Sequence, residues 1–376
     1  MQASERERLS SLSPNSPTLS TEFEGVPRGE SLSKYGERRI AVTQEFDFPI
    51  KYIWRSSSAG SAVQAARQQA IAMLLDLEST IRTTYAEAWS LEEKIAILTG
   101  NVEAARIYAS HLDRKVELGE AVPLEARRAR VEYLQAKSQL AETVSDHFAV
   151  QARLARMTGI DTSELVLESP LGLLQTEAPV TADLTLADNP ELKAASFDLK
   201  QAKSELTLAR TGWLPDLEFS YFQQKAPVEA KPHFWGVEVG LSLPIWYWLG
   251  GRGEIQNAIA RRRASTAGLS NQRIEVASEM DRLVQAINAM NETHRIYQNE
   301  VVPAAKEAYD LAMKSYRLGE ANYLQVLDAQ RSAFAIQIEF IEIENELFQN
   351  LTELDRLAGR SVVGISELHK LLEKGN

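Results

Sequence analysis

The sequence predicts a mainly α-helical protein with a small β part, built from long antiparallel coiled-coil hairpins and laid out twice by an internal duplication. Three observations carry this. The stretch from Tyr316 to Gly359 occurs twice: shifted back by 318 − 118 = 200 positions, Leu318, Gly319, Glu320, Ala321, Leu324, Ala329, Phe348, Leu354, Arg356 and Gly359 fall on Leu118, Gly119, Glu120, Ala121, Leu124, Ala129, Phe148, Leu154, Arg156 and Gly159. The helix leading into the first copy keeps a heptad seam, in which Val63, Ala70, Leu77, Leu91, Leu98, Ala105 and Leu112 alternate with Leu74, Ile81, Ala88, Ile95, Val102, Ala109 and Val116. Four short segments alternate instead with period two, as half-buried strands do.

In chain order, residues 1–12 read as the end of a helix, stopped by Pro14 and Pro17, which remove donors and restrict the residues before them. Strands are expected from Thr18 to Val26 and from Arg39 to Ile50, with a loop between. A heptad helix then runs from near Ser56 to about Glu117, breaks at Gly119, and returns from Pro123 to Met157, so the two form a long hairpin. Residues 160–189 lose the period and read as a connector. Asn189-Pro190 supplies an N-cap followed by proline at the first helical position, and that helix closes at Gly212.

The second half repeats the plan. Leu217 to Gln223 and Trp235 to Leu243 alternate as strands, and Pro244-Ile245 matches Pro49-Ile50. Gly250-Gly251-Arg252-Gly253 reads as a strand-to-helix turn into another long helix, in which Pro303 predicts a kink or local break. The return helix has apolar series on several faces (Val326, Ala333, Phe340, Leu347, Leu354; Leu327, Phe334, Ile341, Phe348; Ala329, Ile336, Ile343), so it must be gripped on more than one side. The expected division is a first repeat over 1–159, a connector over 160–188, a second repeat over 189–359 and a tail over 360–376.

Composition removes several classes. The net charge of −11 gives no electrostatic footprint for nucleic acid, which is not expected as a partner. With no cysteine there is neither a disulfide framework nor thiolate chemistry. No apolar run is long enough for a transmembrane helix, and residues 1–8 lack the core of a signal peptide. The five histidines, His111, His147, His233, His294 and His369, show no helical ligand spacing, and the glycine-rich segment lacks the phosphate-loop pattern. No enzyme, cofactor or metal site is expected.

What remains points to a membrane. The strands have bilayer length, and Tyr52, Trp54, Trp246, Tyr247 and Trp248 gather just after their ends. Trp235, Val237, Val239, Leu241 and Leu243 share one face of the last strand, the expected lipid-facing row. An open sheet edge is not stable in lipid, so several chains must each lend strands to one barrel. Near the helix turns, Glu120, Glu320 and Asp328 could attract cations toward a common axis. For the two glutamates, turn solvation and favourable charge at a helix N-terminus suffice. Asp328, a turn further in beside the apolar seam, is the better pore candidate.

Asn189-Pro190-Glu191-Leu192, Trp213-Leu214-Pro215-Asp216-Leu217, Leu243-Pro244-Ile245 with Gly250-Gly251-Arg252, and above all the run from Tyr316 to Gln330 resemble the outer-membrane efflux protein family, the TolC-like exit ducts of Gram-negative bacteria. The resemblance extends over nearly the whole chain, and the glycine-rich turn and tip sequence are most similar to its heavy-metal cation efflux branch. It implies a homotrimer in which each chain lends four strands to a twelve-stranded barrel and its helices to a periplasmic α-barrel. It implies tips at Leu118, Gly119, Glu120, Leu318, Gly319 and Glu320 that meet a membrane-fusion adaptor, with an inner-membrane RND-type pump supplying the energy. It implies an acidic pore constriction at Asp328, with Gln325 standing where a second aspartate is often found. The rival readings are a soluble coiled-coil scaffold and a non-functional remnant of a duct.

Overall fold

In a computed structural model, residues 13, 15–160, 167–170, 186–225, 233–245 and 247–362 are described. The expected helix over 1–12, most of the connector and the tail beyond 362 lie outside them. Strands β1 (Thr18–Glu24) and β2 (Glu37–Phe46) precede helices α1 (Pro49–Glu117) and α2 (Pro123–Thr158). Then come α3 (Pro190–Arg210), β3 (Asp216–Lys225), β4 (Phe234–Ser242), α4 (Tyr247–Ile296), a π turn at Tyr297–Val301, α5 (Val302–Leu318) and α6 (Tyr323–Leu357). The order of two strands followed by a long helical hairpin therefore occurs twice. The chain divides into two compact units, one holding the described residues up to Ala72 with Ala187–Glu275, the other those of Met73–Leu186 and Val276–Leu368.

In the first unit, β1, β2, β3 and β4 form one antiparallel sheet in that order. Register puts Leu19 beside Val42, Val42 beside Tyr221, and Tyr221 beside Val237, so one face carries an apolar residue from every strand. On the opposite face, Thr43 Oγ1 donates to Ser220 Oγ at 3.0 Å, and Arg39 lies over the Phe222 ring at 4.0 Å while pairing with Glu238. Below the sheet, α3 begins as its sequence signals: Asn189 Oδ1 accepts from the Leu192 amide at 2.8 Å, and Pro190 takes the first helical position.

Three boundaries differ from expectation. β2 stops at Phe46, and α1 starts at Pro49 rather than near Ser56, because proline's missing donor is one of the orphans of a first turn. Tyr52 and Trp54 thus sit in the opening turns of a helix. Gly250–Gly253 is not a turn but lies inside α4. Its glycine serves packing: a Cβ on Gly251 would collide with the Tyr247 ring, and one on Gly212 would stand 2.8 Å from it, while Tyr247 Oη donates to the Ala209 carbonyl at 2.5 Å.

In the second unit the seam of α1 holds from Ala88 onward, with Ala88, Leu98, Ala105, Ala109 and Leu112 buried. Nearer its start the row is mixed: Val63 is buried, but Leu77 is 47 % exposed while Ile71 and Leu75 are buried. α6 is gripped on several sides as its apolar series require: Val326, Ala333, Ile341, Leu347, Phe348 and Leu354 are all buried. Pro303 sits at the second position of α5, directly after the π turn, so the expected break takes the form of a widened turn.

Candidate functional site

The two duplicated tips close by the same backbone device. Gly119 has φ +75° and Gly319 φ +77°, the left-handed conformation that glycine adopts without a Cβ penalty. The Gly119 amide donates to the Val116 carbonyl at 3.0 Å and the Glu120 amide to the Lys115 carbonyl at 2.8 Å. At the second tip Gly319 donates to Tyr316 at 3.1 Å and Glu320 to Ser315 at 2.9 Å. Each is a Schellman closure, which satisfies carbonyls the helix end would otherwise leave open. Both tips then present a leucine to solvent, Leu118 and Leu318 each 65 % exposed.

Beyond the turns the copies diverge. α2 starts from Val122 with no side-chain cap, followed by Pro123. α6 starts with a capping box: Asn322 Oδ1 accepts from the Gln325 amide and Gln325 Oε1 from the Asn322 amide, both at 3.0 Å. Gln325 is thus engaged in setting the first turn of α6, and Asp328 follows three residues later on an exposed face. Asn322-x-x-Gln325 is a readable capping signature that the sequence reading passed over.

Above the tips the helices share one cluster, in which Tyr108 and Leu112 of α1, Ala126 and Ala129 of α2, and Tyr323 and Val326 of α6 are buried, with Tyr309 and Tyr316 of α5 packed against it. The rings of Tyr108 and Tyr323 lie 5.7 Å apart and those of Tyr108 and Tyr316 6.1 Å apart. Burial pushes the hydroxyls of Tyr108 and Tyr323 up to about 12. Between α1, α2 and α6 lies a cavity of about 280 Å³. At its wall the nearly buried Gln330 donates to Asn101 Oδ1 at 2.9 Å, and Arg331 grips the Glu132 carboxylate with two of its nitrogens, Nε to Oε2 at 3.0 Å.

In the first unit, Trp235, Val237, Val239, Leu241 and Leu243 are all exposed, with Phe219 and Tyr221 of β3 and Ile40 and Val42 of β2 beside them. The face a water-soluble sheet would bury is the one left open. Where the sheet meets the helices, Lys51 is only 8 % exposed, and its ammonium donates to Asp216 Oδ1 at 2.8 Å, Asp216 Oδ2 at 3.1 Å and the Leu214 carbonyl at 2.9 Å. Asp216 Oδ1 also accepts from the Phe48 amide at 3.1 Å. The sequence showed the Trp-Leu-Pro-Asp motif but not its partner, 165 positions away.

Histidines do not converge: among the described residues no group of three or more His, Cys, Asp or Glu stands close enough to hold a metal ion. His294 stacks on Phe340 with ring centroids 5.1 Å apart and meets Glu344 at 3.2 Å. Among the described residues no helix is long and apolar enough to cross a membrane.

Residues 181–360 match the sequence profile described as "Outer membrane efflux protein". Over that stretch the chain is similar to the outer membrane efflux protein family. It is 25 % identical over 325 residues to the cobalt-zinc-cadmium resistance protein CzcC of Cupriavidus metallidurans, covering 85 % of this chain and 77 % of that one. The pyoverdine export outer membrane protein OpmQ of Pseudomonas putida is 24 % identical over 342 residues, 88 % and 72 % of the two chains. Among solved structures, the Campylobacter jejuni outer membrane channel CmeC superposes with a TM-score of 0.80 at 18 % identity over 95 % of this chain and 80 % of that one. VceC from Vibrio cholerae gives 0.78 at 17 %, over 96 % and 90 %. The fold is that of these outer-membrane channels.

Proposed function

We propose that the chain is the outer-membrane exit duct of a tripartite efflux system, passively conducting solutes from an inner-membrane pump and a periplasmic adaptor to the outside. The observation that carries this is the sheet: its apolar face is exposed on all four strands while its polar face holds the Arg39–Glu238 pair and the Thr43–Ser220 hydrogen bond. Lipid is the solvent that suits the first, and a wet lumen the second. A soluble scaffold has no use for that inversion.

Four strands do not close a barrel, so three copies contribute twelve, and the helical hairpins of the three form the periplasmic conduit. The two repeats, 1–159 and 189–359, are the building units of each protomer. The exposed Leu118 and Leu318, with Gly119, Glu120, Gly319 and Glu320, form the docking tips for the adaptor, and Asp328 lines the narrowest ring, held in place by the Gln325 cap. The relatives' names point to cobalt, zinc and cadmium for one and to pyoverdine for another, which agrees with cargo being chosen by the pump. Metal cations are the cargo we favour for this chain, on its similarity to CzcC and the acid of Asp328.

The test is expression of the gene with its upstream DNA, followed by membrane fractionation and a search for a heat-modifiable trimer. A trimer in the outer membrane supports the duct. Soluble monomer favours the scaffold, and degraded chain the remnant.

A further inference from the structure

Charge is sorted by face across the four-stranded sheet. Every acid of the strands, from Glu22 on β1 to Glu238 on β4, stands on the face that holds Arg39, and Arg39 finds its counter-charge there in Glu238. The apolar face carries no acid and two cations, Arg38 and Lys225, which register sets directly opposite each other on β2 and β3. Like charges so placed repel and weaken a sheet. Neither has an ion-pair partner among the described residues. β2 and β3 are the central pair, so the two cations stand away from the sheet's edges. They also end the apolar band. From Phe46, Leu217 and Leu241, in register at the helix end, this face runs to Ile40, Gln223 and Trp235, and Arg38 with Lys225 is the next row outward. Leu241 to Trp235 covers about 20 Å of strand, most of the height of a membrane barrel's apolar band. Trp235 stacks on Tyr221 with ring centroids 6.3 Å apart, an aromatic pair suited to a headgroup boundary. Beside the cations opens a pocket of about 250 Å³, with Arg38, Lys225 and His233 on its polar side and Ile40 and Trp235 on its apolar side.

We propose that Arg38 and Lys225 form a binding site for the phosphate of an outer-leaflet lipid, whose acyl chains lie down the apolar face past Ile40 and Trp235. This rests on the exit-duct reading, in which the helices descend into the periplasm and the loop end of the sheet reaches the outer leaflet. A phosphate between the two cations replaces their repulsion with attraction, and a guanidinium fork takes two of its oxygens at once. Free phosphate satisfies the charges but leaves the adjoining apolar rows uncovered. A phosphorylated lipid satisfies both.

The experiment is native mass spectrometry of the full chain released from detergent, with bis-phosphorylated lipid A, dephosphorylated lipid A, or the phosphorylated lipid plus excess inorganic phosphate. Wild type is expected to retain the phosphorylated lipid over the dephosphorylated one, and inorganic phosphate not to displace it. Arg38→Gln and Lys225→Gln are each expected to bind it about fivefold more weakly, the scale of one cation at a charged membrane surface. Lys225→Glu gives Arg38 a partner in register, so it should raise the melting temperature in phosphatidylcholine nanodiscs while removing the preference for phosphorylated lipid. Heat-modifiable mobility on gels checks that each variant assembles, and the wild-type comparison of the two lipids decides alone where one does not. Equal retention of the two lipids, unchanged affinity in both glutamine variants, displacement by inorganic phosphate, or a Lys225→Glu variant no more stable than wild type overturns the lipid site and leaves the duct standing. Failure of wild type to form an outer-membrane trimer overturns the duct and this inference with it.

Discussion

Replacing Asp216 with alanine should destabilise the protein more than replacing its partner Lys51 with methionine. Asp216 supplies two of the three oxygens around the Lys51 ammonium and the acceptor for the Phe48 amide. Its loss strands a cation that is only 8 % exposed, with the Leu214 carbonyl as its remaining acceptor. Breaking such a pair from one side costs about 3–5 kcal/mol when both partners are buried. The Asp216 side chain is 34 % exposed, which lowers the cost to about 2–4 kcal/mol. Methionine at 51 keeps the packed stem, leaves Asp216 its Phe48 amide and access to water, and should cost about 1 kcal/mol. Denaturant titration of the detergent-solubilised protein, followed by circular dichroism at constant slope, measures both. Equal losses, or a greater loss for Lys51→Met, would refute the argument that a stranded buried cation sets the cost.

Three further outcomes are expected. Because the folded state raises Tyr108 and Tyr323 from the ordinary value near 10 to about 12, their contribution is complete below pH 10 and is lost as pH rises to 12. Thermal melts across that interval should fall less steeply for the Tyr108→Phe, Tyr323→Phe double variant than for wild type. Val239→Arg, placing a charge on the open apolar face, should cost about 2–4 kcal/mol in a bilayer and abolish the outer-membrane trimer on gels. Asp328→Asn should shift the reversal potential of bilayer currents toward lower cation preference while leaving the melting temperature unchanged.

Much of the fold was legible because its signals are local or periodic. Gly119 and Gly319 end helices for a steric reason that any glycine after a heptad run announces, and Asn189-Pro190 opens α3 through its own side chain. The alternation of β4 was readable residue by residue. Boundaries were less so: Pro49 serves equally as strand end or helix start, and only the chain's path decides. The Gly250–Gly253 segment misled because glycine signals turns in general, whereas here Gly251 makes room for the Tyr247 ring. The pairs that tie distant segments within each unit, Lys51 with Asp216 in the first and Glu132 with Arg331 in the second, join residues 165 and 199 positions apart. No spacing rule reaches that far.

The π turn bears on how the two repeats differ in length. From the first residue of each long arm to its tip glycine the count is 119 − 49 = 70 in the first and 319 − 247 = 72 in the second. A π turn holds one residue more than an α turn, so Tyr297–Val301 takes up one of those two residues without breaking the helix. Gene duplicates can thus drift in arm length while the arm stays helical. Deleting a single residue within Tyr297–Val301 should restore an ordinary α-helix there.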